Sequence, residues 1–120
     1  ADLSRAIYDV DRLGRQMEEF FDDFDLLISP TMAVPAFTIE QRPSVIGGRE
    51  VDPDWGFVPF TYLINITGQT AASVPCGYSA DGMPIGLHII GPRGSEARVL
   101  QACAALEQAQ PWAGERPGVS

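Results

Sequence analysis

The sequence contains no lysine, and this absence excludes several kinds of chemistry from the chain. All eight of its basic residues are arginines. These residues therefore cannot provide a Ser–Lys dyad, a lysine Schiff base or the lysine of a phosphate-binding loop. Histidine and cysteine are scarce too, because His88 is the only candidate base for a His-based triad. Cys76 and Cys103 are too few for a disulfide framework or a four-cysteine zinc site.

Basic charge is in the minority, and long apolar runs are missing. Eight basic against 16 acidic residues leave a net charge of −8, which argues against a nucleic-acid partner and a basic membrane-surface helix. No apolar run approaches the roughly 20 residues of a membrane span. Because the sequence opens on a charged amphipathic stretch, we expect no signal peptide. Because we interpret both cysteines as reduced, buried thiols, we expect a cytoplasmic protein without a membrane partner.

We also expect no cofactor and no metal. An acidic run over residues 18–25 has two interpretations, a metal cluster or a solvated helix end. No histidine or cysteine accompanies these carboxylates, so the solvated helix end is favoured.

Helical spacing of apolar residues marks both ends of the chain. Apolar side chains recur every three or four positions from Leu3 to Phe24, which predicts an amphipathic helix over about 3–21. A second helix is predicted to begin at Ser95, a good N-cap, and to end before Pro111. Its predicted buried stripe is Val99, Leu100, Cys103 and Leu106.

Short apolar runs between these helices predict strands. The run over 26–29 is apolar on both faces and is followed by Pro30, which is typical of a central strand covered by helices. Two further runs, 71–78 and 85–90, flank Asp81-Gly82 and predict a β-hairpin. Pro75 within the first of these runs favours a bulge, a strand end or an edge position.

The segment from Pro30 to Pro59 contains five prolines and no sustained hydrophobic period. Segments of this length are usually pocket-forming loops or disordered linkers, and the aromatic residues here argue against a linker. A short helix is predicted over 59–66, with Pro59 in its first turn and Gly68 as its C-cap. We therefore expect the preceding long loop to form part of a pocket.

Together, these elements predict one partial α/β domain. The chain is 45% hydrophobic and 20% charged, which is typical of a globular protein of one domain. We assign residues 1–113 to this domain and the Gly- and Pro-rich residues 114–120 to a flexible tail. Three or four strands can form only one side of an α/β sandwich. We therefore expect exposed sheet edges, which a homo-oligomer could cover.

No catalytic constellation is evident from the residues themselves. No serine lies in a Gly-x-Ser-x-Gly motif. His88 alternates with apolar residues and Cys76 has apolar neighbours, so we interpret both as structural, with a hydrolase based on either as an alternative. Asn65 either orients a pocket or braces its own turn. The candidate substrate-binding residues are Thr31, Trp55, Phe57, Phe60 and Tyr62. The alternative for each aromatic residue is core packing, and for the threonine it is a turn hydroxyl bonded to its own backbone.

Five sequence motifs, taken in order, resemble the C-terminal part of the amidase signature family. They are Asp25-Leu-Leu-Ile-Ser-Pro-Thr31, Pro59-Phe-Thr-Tyr62 leading to Asn65-Ile-Thr-Gly68, Ser73-Val-Pro-Cys-Gly77, residues 81–92 (DGMPIGLHIIGP), and a last helix that ends at Pro111-Trp112. The resemblance runs from about residue 3 to residue 112.

The resemblance implies a mixed-sheet α/β/α sandwich that hydrolyses carboxamides to an acid and ammonia or an amine. The family's Ser–Ser–Lys triad lies upstream, and none of it maps onto this sequence, so we assign no catalytic residue. Glutaminyl-tRNA amidotransferase subunits share the same phrases. Their substrate-carrying acid is replaced here by Phe57 or Val58, which favours a hydrolase with an apolar pocket and a small-molecule amide substrate.

The main hypothesis is therefore a C-terminal fragment of an amidase that supplies strands and pocket wall and is inactive alone. The alternative is a stand-alone, non-catalytic binding or interaction module derived from the same fold. The chain begins with Ala1-Asp2 directly on a predicted helix, which we interpret as favouring the fragment.

Overall fold

The structure is a computed structural model and describes residues 2–115. Of the predicted flexible tail, residues 116–120 lie outside the described residues. The helices are α1 (Asp2–Asp23), α2 (Tyr62–Thr67) and α3 (Glu96–Ala109). The strands are β1 (Leu27–Pro30), β2 (Val45–Ile46), β3 (Arg49–Glu50), β4 (Thr70–Tyr78) and β5 (Pro84–Gly91). Both terminal helices and the β4–β5 hairpin are confirmed.

The main sheet has three strands in the order β1-β5-β4, so β5 is central. Its pairings are antiparallel, and Ser29 and Ser73 both lie opposite His88. The prediction of β1 as a central strand is wrong within residues 2–115, because β1 pairs there with β5 alone. Ile28 on this strand is 63% exposed. The described residues therefore carry the antiparallel part of the mixed sheet that the resemblance implies.

Helices lie on both faces of this sheet. A Cβ at Gly91 would lie 3.0 Å from Cγ2 of Val99, so α3 packs on the face to which Gly91 belongs. His88 lies three residues earlier on β5 and therefore points to the opposite face. That face looks towards α2 and the segment that follows it. The layering is α/β/α, and the buried core is formed by Ile64, Ile89, Ile90 and Val99.

An arginine ties the second helix to its surroundings. Nε and Nη2 of Arg93 donate to the carbonyl oxygen of Thr67 at 2.9 and 2.7 Å, and its Nη1 lies 2.9 Å from Oε1 of Glu18. Gly68 is the predicted left-handed C-cap, with φ of 73°. The placement of Pro59 in the first turn is wrong. Pro59 belongs instead to the turn that precedes α2, in which the Thr61 N–H donates to the Val58 carbonyl oxygen at 3.3 Å.

The long loop contains a small hairpin that the sequence pattern did not predict. Strands β2 and β3 pair across Gly47 and Gly48, which have φ values of 57° and 76°. Two consecutive residues with positive φ form a type I′ turn, for which Gly-Gly is a favoured sequence. In the larger hairpin, the predicted bulge is confirmed between Pro75 and Gly77, which makes Cys76 the extra residue.

Much apolar surface is open to solvent. The chain exposes 8654 Å², against roughly 6,300 Å² for a compact monomer of this mass. Leu3 and Ile7 on α1 are 74% and 62% exposed. The prediction that Leu100 is buried is wrong, because Val99 faces the sheet and Leu100 lies about 100° further round the helix, 63% exposed. Within residues 2–115, no helix combines the length and the apolar character that crossing a membrane requires.

Candidate functional site

A row of polar side chains crosses the sheet at its centre. The pairing of the three strands brings Ser29, His88 and Ser73 side by side on one face. Oγ of Ser29 donates to the Pro30 carbonyl oxygen at 3.0 Å and lies 3.5 Å from Nδ1 of His88. Burial lowers the pKa of His88 below its usual value, so the imidazole is neutral at pH 7.

A hydroxyl bridge adjoins this row. Oγ1 of Thr31 and Oγ of Ser73 form a hydrogen bond of 2.6 Å that passes over Gly86 of the central strand. A Cβ at Gly86 would lie 2.6 Å from the Ser73 oxygen and 2.8 Å from the Thr31 oxygen. Glycine at this position therefore lets the two hydroxyl groups meet.

A polar cavity of about 280 Å³ lies between α2 and the sheet. All the residues that line it are uncharged at pH 7. Its principal polar lining residues are Thr31, Thr61, Asn65, Gln69, Ser73 and His88. Hydroxyl, amide and neutral imidazole groups can orient an uncharged polar ligand, but they do not compensate the cost of burying a charge.

An apolar pocket of about 430 Å³ lies beside the polar cavity, at the start of the long loop. Met32 follows Thr31 directly, and Gly86 under the hydroxyl bridge is also part of the pocket wall. The loop is held in place where the Ala33 N–H donates to the Phe57 carbonyl oxygen at 3.1 Å. The lining residues are Met32, Ala33, Val34, Pro35, Ala36 and Phe37 from the loop, with Pro84, Ile85 and Gly86 from β5.

The structure brings some of the predicted substrate-binding residues to these cavities and leaves others apart. Thr31 lines the polar cavity. The ring of Phe57 packs edge-on against that of Phe37, with centroids 5.2 Å apart, and Phe37 lines the apolar pocket while Phe57 does not. Trp55, Phe60 and Tyr62 line neither cavity, and Trp55 is 63% exposed. Substrate binding by all five residues stays a prediction.

Two groups of site residues were missed by sequence reasoning. Met32 and Phe37 line the apolar pocket, and the unpatterned loop gave no periodicity from which their direction could be inferred. Gln69 lines the polar cavity and was not singled out, because a lone glutamine after a helix cap carries no sequence signal. Asn65 does lie at the cavity, as one of its two interpretations required.

The acidic run at the end of α1 forms ion pairs. Glu18 contacts Arg93, and Oδ1 of Asp25 lies 3.1 Å from Nη1 of Arg98. Across residues 2–115, no three potential metal-ligating side chains are grouped closely enough to hold an ion.

The polar row does not amount to a nucleophilic triad. Activation of a serine needs a base within hydrogen-bond reach and a third group that orients the base. The Ser29–His88 distance of 3.5 Å is long, and the uncharged cavity lining provides no carboxylate behind His88. Cys76 lies on the bulge, with its Sγ 3.5 Å from the carbonyl oxygen of Ile85. The described residues can therefore bind and orient a ligand, but they do not assemble a nucleophile.

Comparison with known proteins identifies the family of this chain. The family model described as Amidase matches residues 3–100. The acylamidase of Rhodococcus erythropolis is 40% identical over 105 residues, which cover 84% of this chain and 21% of that protein. A glutamyl-tRNA(Gln) amidotransferase subunit from Halothermothrix orenii is 39% identical over 96% of this chain and 25% of its own length.

A solved structure shares the fold. The crystal structure of a bacterial aryl acylamidase of the amidase signature family superimposes with a TM-score of 0.75 and 40% identity. It covers 90% of this chain, which in turn covers 24% of that protein. The chain thus spans about a quarter of the length of the relatives it matches, and the α/β fold class is that of these enzymes. This chain belongs to the amidase signature family.

Proposed function

We propose that this chain forms one side of the substrate site of an amidase, which hydrolyses carboxamides to an acid and ammonia or an amine. An amide is a poor electrophile, so hydrolysis needs an activated nucleophile and donors aimed at the developing oxyanion. The chain has no lysine, and its described residues assemble no other activated nucleophile, so in this proposal the nucleophile and its base come from residues outside these 120. The relatives' greater length leaves room for them.

The observation that carries this proposal is the apolar pocket beside the uncharged polar cavity. An acyl chain fits a wall made of Met32, Pro35 and Phe37, and the polar amide end fits the neighbouring hydroxyl groups. Fixing the acyl group beside a nucleophile can contribute several kcal/mol to catalysis through positioning. The apolar wall at this site favours a hydrolase of small amides over an amidotransferase.

A chimera tests this role directly. In this chimera, the 120-residue chain replaces the matching quarter of the aryl acylamidase whose structure it resembles. We expect the chimera to hydrolyse an aryl acylamide and the 120-residue chain alone to release no acid or amine. In the chimera, Met32→Glu should lower kcat/KM about 10–30-fold, mainly through KM, because it places a charge in the apolar pocket.

The control is Ile39→Glu, an identical change in charge on the same loop at a residue that is 88% exposed and outside the pocket lining. It should leave KM unchanged. A folded chimera without activity would favour the alternative, a non-catalytic binding module. Turnover by the chain alone that Cys76→Ala abolishes would instead establish an independent hydrolase and contradict the proposal.

Self-association of the chain is a further part of the proposal. The outer edges of β1 and β4 have no strand partner within residues 2–115, and open edges promote pairing between chains. Sedimentation equilibrium should show dimers or larger species whose fraction rises with concentration. Ile28→Lys on the β1 edge should weaken the association, and Ile39→Lys should not. A monomer at all concentrations would contradict this expectation.

A cytoplasmic location also stays a proposal. Both cysteines are free thiols, and each is half-buried rather than buried as the sequence predicted. Free thiols suit a reducing compartment.

A further inference from the structure

One side chain in the polar cavity is buried without a partner. Gln69 is 9% exposed. Neither its Oε1 nor its Nε2 has a hydrogen-bond partner among residues 2–115. A polar group left unpaired in the interior destabilises the folded state. A buried amide with both ends free is therefore an unusual feature that calls for a ligand or a function.

The backbone holds Gln69 in this position. The N–H groups of Gly68 and Gln69 both donate to the carbonyl oxygen of Ile64, at 3.0 and 3.3 Å. The left-handed φ of 73° at Gly68 turns the chain sharply at the end of α2. Arg93 fixes the adjacent Thr67 carbonyl oxygen through two hydrogen bonds. These hydrogen bonds fix the turn that follows α2, and the turn places the side chain of Gln69 in the cavity.

The cavity selects for an uncharged group with a donor beside an acceptor. Nε2 of Gln69 can only donate and its Oε1 can only accept, so the complementary group must present one of each. The remaining polar walls, Thr31, Ser73 and a neutral His88, carry no charge. A carboxylate would place a negative oxygen against Oε1 of Gln69, and an ammonium group has no acceptor for Nε2.

We propose that Gln69 recognises a primary carboxamide group, which carries an N–H on the same side as its carbonyl oxygen, and pairs with it head to head in the polar cavity through one N–H···O bond in each direction. The inference rests on the proposed function, since it assigns the amide end of the substrate to this cavity. The acyl portion then extends towards the apolar pocket, which adjoins the cavity at Thr31-Met32 and Gly86. Gln69 is a binding residue in this role, because it takes no part in bond breaking.

Binding to the 120-residue chain tests the proposal without requiring catalysis. The probes are propionamide, propionate and N,N-dimethylpropionamide, each titrated while the amide resonances of the chain are followed by NMR. Propionamide should shift the side-chain amide signals of Gln69 and the backbone signals of Ser73 and His88. The two analogues should bind at least about tenfold more weakly, because propionate is charged and the dimethyl amide has no N–H to donate.

A near-isosteric variant separates recognition from support of the fold. Gln69→Leu removes two unpaired buried polar atoms, so it should keep or raise the melting temperature while weakening propionamide binding at least about tenfold. Gln108→Leu, the same change on the exposed surface of α3, should alter neither property. Loss of stability in Gln69→Leu with unchanged binding would overturn the proposal and indicate that Gln69 has a structural role.

Recognition of the amide by Gln69 can also be tested in the chimera. There propionamide should inhibit competitively, and Gln69→Leu should raise its inhibition constant at least about tenfold. Equal binding of propionamide and propionate, or no perturbation of cavity signals in the folded chain, would also overturn the assignment. These results are distinguishable from failure of the proposed function. An inactive chimera with selective binding of propionamide contradicts the enzymatic role alone, and an active chimera whose inhibition by propionamide is insensitive to Gln69→Leu contradicts this inference alone.

Discussion

Replacement of Gly91 by valine is expected to lower the free energy of unfolding by about 3 kcal/mol or more, enough to unfold a marginally stable chain. Gly91 is buried at the end of the central strand, beneath α3. A Cβ there would lie 2.4 Å from Oγ of Ser95 and 3.0 Å from Cγ2 of Val99. The serine cannot move away easily, because its hydroxyl donates to the Pro92 carbonyl oxygen at 2.6 Å.

Urea denaturation followed by circular dichroism measures this effect. Gly114→Val is the matched control, since a Cβ at Gly114 meets no atom within 4 Å and its φ is not positive. The control should unfold within about 0.5 kcal/mol of the unsubstituted chain. Equal midpoints for the two variants would show that α3 does not pack on Gly91 in solution.

The second large effect is expected for Ile90→Ala. Ile90 is 1% exposed, and truncation of a fully buried isoleucine typically costs about 2–5 kcal/mol through lost transfer energy and the cavity left behind. The same denaturation experiment measures it. Leu100→Ala serves as the comparison, because Leu100 is 63% exposed on α3 and its truncation should cost less than about 0.5 kcal/mol.

The two variants also show whether the face of α3 that carries Leu100 is covered by other residues. If Leu100→Ala proves as costly as Ile90→Ala in the isolated chain, the exposed face of α3 is covered there and the arrangement of α3 described above is wrong. In the aryl acylamidase chimera, a larger cost for Leu100→Ala than in the isolated chain would place this face against residues from outside the 120.

Local features were the most predictable part of the fold. The amphipathic pattern predicted a helix over 3–21, and α1 spans Asp2–Asp23. Gly68 ends α2 in the left-handed conformation because glycine has no Cβ to oppose it. Asp81-Gly82 marks the hairpin, and Pro75 marks the bulge, since proline cannot donate to the ladder. Each of these signals depends on residues that are near one another in the chain.

Features that depend on distant residues were predicted less well. The apolar run at residues 26–29 suggested burial on both faces, but burial depends on which elements lie alongside, and in residues 2–115 one edge of β1 is open. Likewise, the helical period places Val99 and Leu100 on neighbouring stripes. Only the packing of α3 on Gly91 selects Val99 as the buried residue.

Some features of the candidate site were likewise predictable from the sequence, and others depended on packing. The absence of lysine and the phrases shared with the amidase signature family were sufficient to identify the family and to exclude a complete Ser–Ser–Lys triad within this chain. Thr31 was predicted as a binding residue from its place after a strand, and although it lines the polar cavity, its binding role stays a prediction. These conclusions follow from the covalent sequence, because the chemistry of a side chain and its order in the chain do not depend on packing.

Only the tertiary structure decided how the site is built. It places Thr31 and Ser73, 42 positions apart, within a hydrogen bond of 2.6 Å. It turns Gln69 inwards without a partner in residues 2–115, and it leaves Trp55 at the surface. The physical reason is that strand register and helix packing set the direction of each side chain, and these arise from contacts between segments that are remote in sequence.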